Sequence, residues 1–157
     1  MPTHADILLR LSQMGHALPP PARPVGEFIL WRREGSMVHL AGQICEKDGA
    51  AWPTGVYGAG VDLQTARAGA LAIGIQLLSN LNEALSGDLG RVRKVVTVRG
   101  FVTCAPGFGD YPQVINACSE LFIALWGENG RHARTSIGVA QLPMNATVEI
   151  DAAFAVD

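Results

Sequence analysis

An α+β fold, with one sheet and two long helices on one of its faces, is the architecture this sequence predicts, and three observations predict it. Two stretches carry apolar or small residues at helical spacing: Leu63, Ala66, Ala70, Leu71, Gly74, Leu77, Leu78, Leu81 and Leu85 in one, and Tyr111, Val114, Ile115, Cys118, Leu121, Phe122, Leu125 and Trp126 in the other. Strand-like segments flank them in the order β-β-α-β-α-β-β, after a short N-terminal helix. The length, 157 residues of which 48% are hydrophobic, suits one compact domain with ample material for a core.

Each element has a local reason. Thr3 and Asp6 form a helix start signal ahead of Ile7, Leu8, Leu11 and Met14, and Gly15 can close that helix in a left-handed cap. Leu18-Pro19-Pro20-Pro21 through Pro24 must be extended, a stiff link, so the division expected is 1–23 for helix and link and 24–157 for the α+β domain. Residues 28–33 and 37–43 read as strands around a tight Glu34-Gly35-Ser36 connection, and 47–60, with five glycines or prolines, as a loop. Asp62 can cap the first long helix, which ends near Gly87, and 91–104 follows as a strand apolar on both faces. Asp110 and Pro112 open the second long helix and Gly127 stops it. Residues 136–142 and 147–156 are the last strands, with Pro143-Met144-Asn145-Ala146 expected to join them as a hairpin. Two helices cover one face of a sheet only, so the other face calls for a partner, most simply another copy of the chain.

Composition excludes several classes. Lys+Arg 12 against Asp+Glu 14 gives a net charge of −2, and Arg91, Arg93 and Lys94 are flanked by valines and not by stacking aromatics, so no nucleic-acid surface is expected. Cys45, Cys104 and Cys118 are odd in number and far apart, with no ligand spacing to histidine; they read as buried thiols, with no metal expected. No apolar run is long enough for a signal peptide or a membrane span, and the expectation is a soluble, cytoplasmic protein. There is no G-x-S-x-G, H-E-x-x-H, Walker or dinucleotide-binding motif.

The chemistry concentrates between Gly130 and Ile150. From Ala133 to Thr147 the only charge is Arg134, followed by Thr135 and Ser136. A guanidinium keeps its proton and its planar fork suits a carboxylate held by two parallel hydrogen bonds. The alternatives are an internal acid as partner, or a projection into water. Alternation along the last strand puts Val148, Ile150, Ala152, Phe154 and Val156 on one face and Glu149 on the other. If Ile137 and Val139 face the helices, Arg134 and Ser136 share the side of Glu149. His132 is a candidate general base, with a solvated or capping role as the alternative, and His39 reads as a paired strand residue.

The order H-A-R-T-S-I-G-V-x-x-L-P-x-N-x-x-V-E-I from His132, with Val114-Ile115-Asn116, Gly90-Arg91-Val92 and Leu40-Ala41-Gly42-Gln43 before it, resembles the Rid family of enamine/imine deaminases (RidA/YjgF, also labelled L-PSP endoribonuclease). The resemblance covers roughly residues 24 to 157 and points to the longer branch with an extra N-terminal helix. It implies a chorismate-mutase-like homotrimer with sites between chains, no cofactor, and hydrolysis of 2-imino or 2-enamino acids to 2-keto acids and ammonia. By the same resemblance Arg134 grips the substrate carboxylate, the Ser136 backbone adds to that grip, Glu149 orients water or moves protons, and Asn116 and Gly42 line the pocket. Ala41 stands where many members have serine and Phe28 where a pocket tyrosine is expected, so two hydroxyls are missing and a greasier pocket follows. The rival functions are a non-catalytic module binding a small carboxylate such as a keto acid and, against the charge balance, a ribonuclease.

Overall fold

Five strands form one mixed sheet in a computed structural model that describes residues 1–157: β1 (Trp31–Glu34), β2 (Met37–Ile44), β3 (Val92–Thr103), β4 (Ala133–Val139) and β5 (Val148–Val156). Their spatial order is β1-β2-β5-β3-β4. β1 and β2 make the expected hairpin, Trp31 opposite Leu40, although β1 begins at Trp31 and not at Phe28. β5 runs antiparallel between β2 and β3, and β4 lies parallel to β3 on the outer edge, Val98 opposite Arg134.

The last two strands are therefore not a hairpin; β3 lies between them. The connection is tied elsewhere. Met144 and Asn145 have φ of 55° and 59°, and the backbone of this turn bonds to the loop before α2, Gly55 N to Asn145 O and Thr147 N to Pro53 O, both at 2.9 Å. Thr103 Oγ1 donates to Ala146 O at 2.9 Å. These bonds lead the chain across the end of β3 and leave β4 starting earlier, at Ala133 instead of Ser136.

The helices are α1 (His4–Gln13), α2 (Leu63–Ala84) and α3 (Pro112–Trp126). Thr3 and Asp6 cap α1 reciprocally, and Asp62 caps α2 through Thr65 N at 2.7 Å. Asp110 does not cap α3; that helix begins at Pro112 after Tyr111, without a side-chain cap. α2 lies on β2 and β5, and α3 on β3 and β4, so both long helices cover the same face. Val95, Val98 and Val102 of β3 and Val148, Ile150 and Phe154 of β5 point into that layer and are fully buried. Phe154 packs edge-on to Phe122 of α3 at 5.5 Å between centroids, each such burial contributing roughly 2 kcal/mol.

Ile7 and Leu11 place α1 in the same core. The proline stretch is latched to α2: Gln76 Nε2 donates to Pro20 O at 3.2 Å, and Ala22 N to Asn80 Oδ1 at 3.0 Å. The 47–60 loop carries two minimal ribbons, Glu46–Lys47 with Ala50–Ala51 and Val56–Tyr57 with Gly60–Val61.

The second face of the sheet is not the apolar surface expected from 91–104. It shows His39, Thr97, Arg99, Thr135 and Asp151 around a hollow of about 420 Å³, and Arg99 Nε bonds Asp151 Oδ1 at 2.8 Å. Ile137 is the large apolar side chain it exposes on β4. β3 is irregular against β5 between Val92 and Lys94 and between Val95 and Thr97, and it pairs Lys94, Thr97 and Arg99 with Ala155, Ala153 and Asp151.

Candidate functional site

Arg134 is the second residue of β4. Its register partner Val98 is fully buried under the helices, so Arg134 lies on the helix side of the sheet, as do Ser136 and Gly138 opposite Gly100 and Val102. The expectation that Arg134 and Ser136 share the open face with Glu149 is overturned; Ile137 is the outward residue. The inward positions of β4 take small or hydroxyl residues because α3 begins over them: a Cβ on Gly138 would meet Cys104 and Tyr111.

Gly130 brings β4 against α3. A Cβ there would collide with the Phe122 carbonyl of the helix, so only glycine lets the chain run this close. Arg134 then reaches the helix, where its Nη1 donates to Asn116 Oδ1 at 2.7 Å and to Ser119 Oγ at 3.2 Å. No carboxylate in the chain lies within 4.0 Å of it, the ion pairs being Arg67–Glu120, Arg93–Asp157, Arg99–Asp151 and Arg131–Glu128. An internal acid is thus excluded as its partner. Its Nε and Nη2 donate to nothing in the chain; Arg134 borders both the hollow of about 420 Å³ and one of about 270 Å³ lined by Asn116, Ser119, Glu120, Ile123, Arg131 and His132.

His132 is no free base. Its Nδ1 is 2.7 Å from Gly130 O and its Nε2 is 3.0 Å from Ser119 Oγ, so both nitrogens are engaged. Burial pushes its pKa down, and the Arg134 charge acts in the same direction against the Gly130 hydrogen bond. Ser119 was not foreseen; the signal for it is the i, i+3 polar pair Asn116 and Ser119 on a helix whose other polar residues are Gln113 and Glu120. Ser136 Oγ is buried without a hydrogen-bond partner.

Glu149, Gly42 and Ala41 come together elsewhere. Between Leu40 and Gln43 β2 bulges against β5, and the Glu149 carboxylate lies over Gly42 so closely that a Cβ there would strike it. Gln43 Nε2 donates to Gly42 O at 2.9 Å and braces the bulge. Burial, then the neighbouring Asp151 charge, raises the Glu149 pKa above the ordinary carboxylate range. Ala41 is half-buried in the bulge, and Ala41 N bonds Leu30 O at 2.9 Å, which ties the chain just after Phe28 to this edge. Phe28 is 45% exposed and Ile29 51%, beside Val25 at 89%: an apolar segment with no cover in its own chain.

The two groups stand apart. Arg134 is level with Ala152, and Glu149 is level with Phe101 and Ile137. Three residues along the strand and two strands across are each about 10 Å, at ~3.3 Å per residue and ~4.8 Å per strand. They also project from opposite faces, so Arg134 and Glu149 of one chain do not converge. His39 is a paired strand residue as expected, opposite Arg32 and Ala153, and its side chain is exposed on the open face of β2. Cys45 and Cys118 are buried, their thiols pushed up to about 11 and about 12 by desolvation, whereas Cys104 is only partly buried, contrary to expectation. No three His, Cys, Asp or Glu side chains cluster as metal ligands, and no helix is long and apolar enough to cross a membrane.

Comparison with known proteins bears on this arrangement. A family model described as Endoribonuclease L-PSP matches residues 21–156. Protein TCP17 of Trypanosoma cruzi is 37% identical over 147 residues, 93% of this chain and 91% of that protein. A 2-iminobutanoate/2-iminopropanoate deaminase of Dermatophagoides farinae is 26% identical, over 88% of this chain and 93% of its own length. Among solved structures, a protein of unknown function from Agrobacterium tumefaciens superimposes with a TM-score of 0.91 at 36% identity, covering 98% of this chain and 94% of that one.

Proposed function

Since the chain belongs to the endoribonuclease L-PSP family, the Rid family whose signature it carries, we propose that it hydrolyses reactive 2-imino or 2-enamino acids to 2-keto acids and ammonia. The observation that carries the reading is the Arg134 fork: a fixed cation held by neutral acceptors, with free donors and no acid of its own. A relative's description as an imine deaminase supports the same chemistry.

In this reading Arg134, with the Ser136 backbone and Asn116 beside it, holds the substrate carboxylate, and Glu149 of a neighbouring copy faces the imine carbon. Water adds to that carbon while Glu149 takes one of its protons and passes it to nitrogen; the proton of the resulting carbinolamine hydroxyl then follows by the same route, and the C–N bond breaks as the C=O forms, releasing ammonia. Burial and the Asp151 charge, which raise the Glu149 pKa, make its carboxylate a better proton acceptor than an exposed one. The reaction is intrinsically easy, so positioning supplies much of the acceleration, and no metal or organic cofactor is needed.

Sharing the site between copies follows from the separation of Arg134 and Glu149. Arg134 on the outer strand β4 and Glu149 on the central strand β5 face opposite sides of the sheet, so a contact that joins them is heterologous, and in this reading it closes into a ring. Three copies is the ring size that the Rid resemblance implies, and the exposed Val25, Phe28 and Ile29 segment and Ile137 are the apolar surfaces such a ring would cover. A cytoplasmic setting suits the three unpaired thiols.

Phe28 and Ala41, which offer no hydroxyl, favour a second reading in which the site clamps a keto acid without turnover. The ribonuclease reading has less support, given the net charge of −2. The deciding experiment couples an amino-acid oxidase, which generates imines from a panel of amino acids, to timed ammonia release. Faster release with the wild-type protein, lost in Arg134→Ala, supports hydrolysis. Tight keto-acid binding with no acceleration supports the clamp.

A further inference from the structure

We infer that Ser119 and His132 are positioning residues that fix which donors Arg134 presents to a carboxylate, an inference resting on the reading of Arg134 as the carboxylate anchor. A chain of hydrogen bonds with only one consistent direction carries it. The Gly130 carbonyl can only accept, so His132 Nδ1, 2.7 Å away, must bear the ring hydrogen. In the neutral imidazole Nε2 is then a lone pair, and Ser119, 3.0 Å away, has to donate its hydroxyl hydrogen to it. With that hydrogen committed, Ser119 Oγ offers Arg134 only lone pairs and accepts from Nη1 at 3.2 Å.

Asn116 Oδ1 accepts the other Nη1 hydrogen at 2.7 Å. Both hydrogens of Nη1 are then engaged by α3, and the end-on pair of donors is closed. The parallel pair left is Nε–H with the adjacent Nη2–H, which fits a carboxylate side-on. A neutral His132 keeps this direction. Burial against Phe122, with ring centroids 6.2 Å apart, and the Arg134 charge hold its pKa below the ordinary value and favour that form. His132 acts through Ser119 and touches no substrate.

The test joins kinetics to spectroscopy. In imine hydrolysis, Ser119→Ala is expected to raise KM about fivefold with kcat nearly unchanged, as for one lost hydrogen bond that held the carboxylate equally in ground and transition states. His132→Asn, which keeps a donor for Gly130 but loses the Nε2 acceptor, is expected to do the same. Ser119→Thr and His132→Gln, which retain the hydroxyl and an acceptor near Nε2, restore most of KM. The double variant Ser119→Ala/His132→Asn is no worse than either single one. Multiplying effects, or wild-type KM in both single variants, overturn the relay.

Independently of activity, nitrogen NMR of the wild-type protein at neutral pH is expected to show His132 protonated on Nδ1 alone. A ring protonated on Nε2 overturns the inference whatever the kinetics. Turnover persisting in Arg134→Ala instead sinks the anchor itself, so the two failures are distinguishable.

Discussion

The outer strand β4 and the β2–β5 bulge solve opposite problems within one sheet. At the β4 edge a charge is held by neutral hydrogen-bond acceptors from one turn of α3, and the donors left over are defined. At the β2–β5 bulge a carboxylate is packed over a glycine, with burial but no hydrogen-bond donor, so its charge is disfavoured. The first arrangement suits binding an anion in one geometry. The second suits holding and releasing a proton. The contrast teaches that this fold sets the state of a charged group by different means, hydrogen-bond direction at Arg134 and desolvation at Glu149.

Removing the anchor gives the largest expected effect. Arg134→Ala is expected to lower kcat/KM by roughly a hundredfold or more, since hydrogen bonds to a charged group are worth up to ~3 kcal/mol. The fold should survive, because no internal acid is left unpaired. Arg134→Lys should fail as well, a point charge lacking the fork. Circular dichroism and steady-state kinetics together check this, and unfolding of Arg134→Ala would show a structural partner for the arginine.

Gly42→Ala acts at the β2–β5 bulge. Its new methyl meets the end of the Glu149 side chain, which can swing aside, so the stability cost should be about 1 kcal/mol or less while turnover falls roughly tenfold. Keto-acid binding at Arg134 should weaken less than turnover, and a large stability loss with intact turnover would break the contrast.

Glu149→Gln separates charge from shape. Because folding raises its pKa, Glu149 binds its proton more tightly in the folded state; ionisation therefore opposes folding, an effect absent below the unfolded carboxylate range and full above the folded value. Glu149→Gln should be more stable than wild type at neutral pH, with the gain vanishing as pH falls through the ordinary carboxylate range. It should also be inactive. Denaturant midpoints at the two pH values check the sign.

The smallest effect concerns preference. If Phe28 and Ala41 border the pocket, as the family resemblance implies, imines of larger apolar amino acids should be favoured over those from serine or threonine, in a graded series because one methylene is worth only ~1 to 3 kcal/mol. A clear preference for the smallest imine would count against the pocket assignment.

What the residues revealed before the structure follows from how local each signal is. α2 and α3 were legible because their apolar stripes, Leu77 to Leu85 and Val114 to Trp126, repeat at helical spacing over many turns. The place of β4 was not. Pro143-Met144-Asn145-Ala146 has hairpin length, and the bonds that turn it aside come from Pro53 and Gly55, some ninety positions away. The facing of β4 was misread for a related reason: Ile137 was assigned inward as an apolar residue, whereas the inward space is already filled by α3 and admits only Ser136 and Gly138. Arg134 stood out as the lone charge of its stretch and Glu149 through strand alternation, while Asn116 and Gly42 were named from the family resemblance; the division of Arg134 and Glu149 between two faces and two strands depends on register, which no local pattern encodes.

The claim that one active site needs Arg134 and Glu149 from different copies is tested most directly by complementation. Arg134→Ala and Glu149→Ala proteins, each inactive alone, are unfolded together in equal amounts, reassembled, and assayed as verified mixed oligomers. In a ring of three that pairs each Arg134 with a neighbour's Glu149, every mixed trimer has one interface in three with both residues intact, so recovery near one third of wild-type turnover is the predicted result. No recovery from mixed oligomers would contradict the shared site.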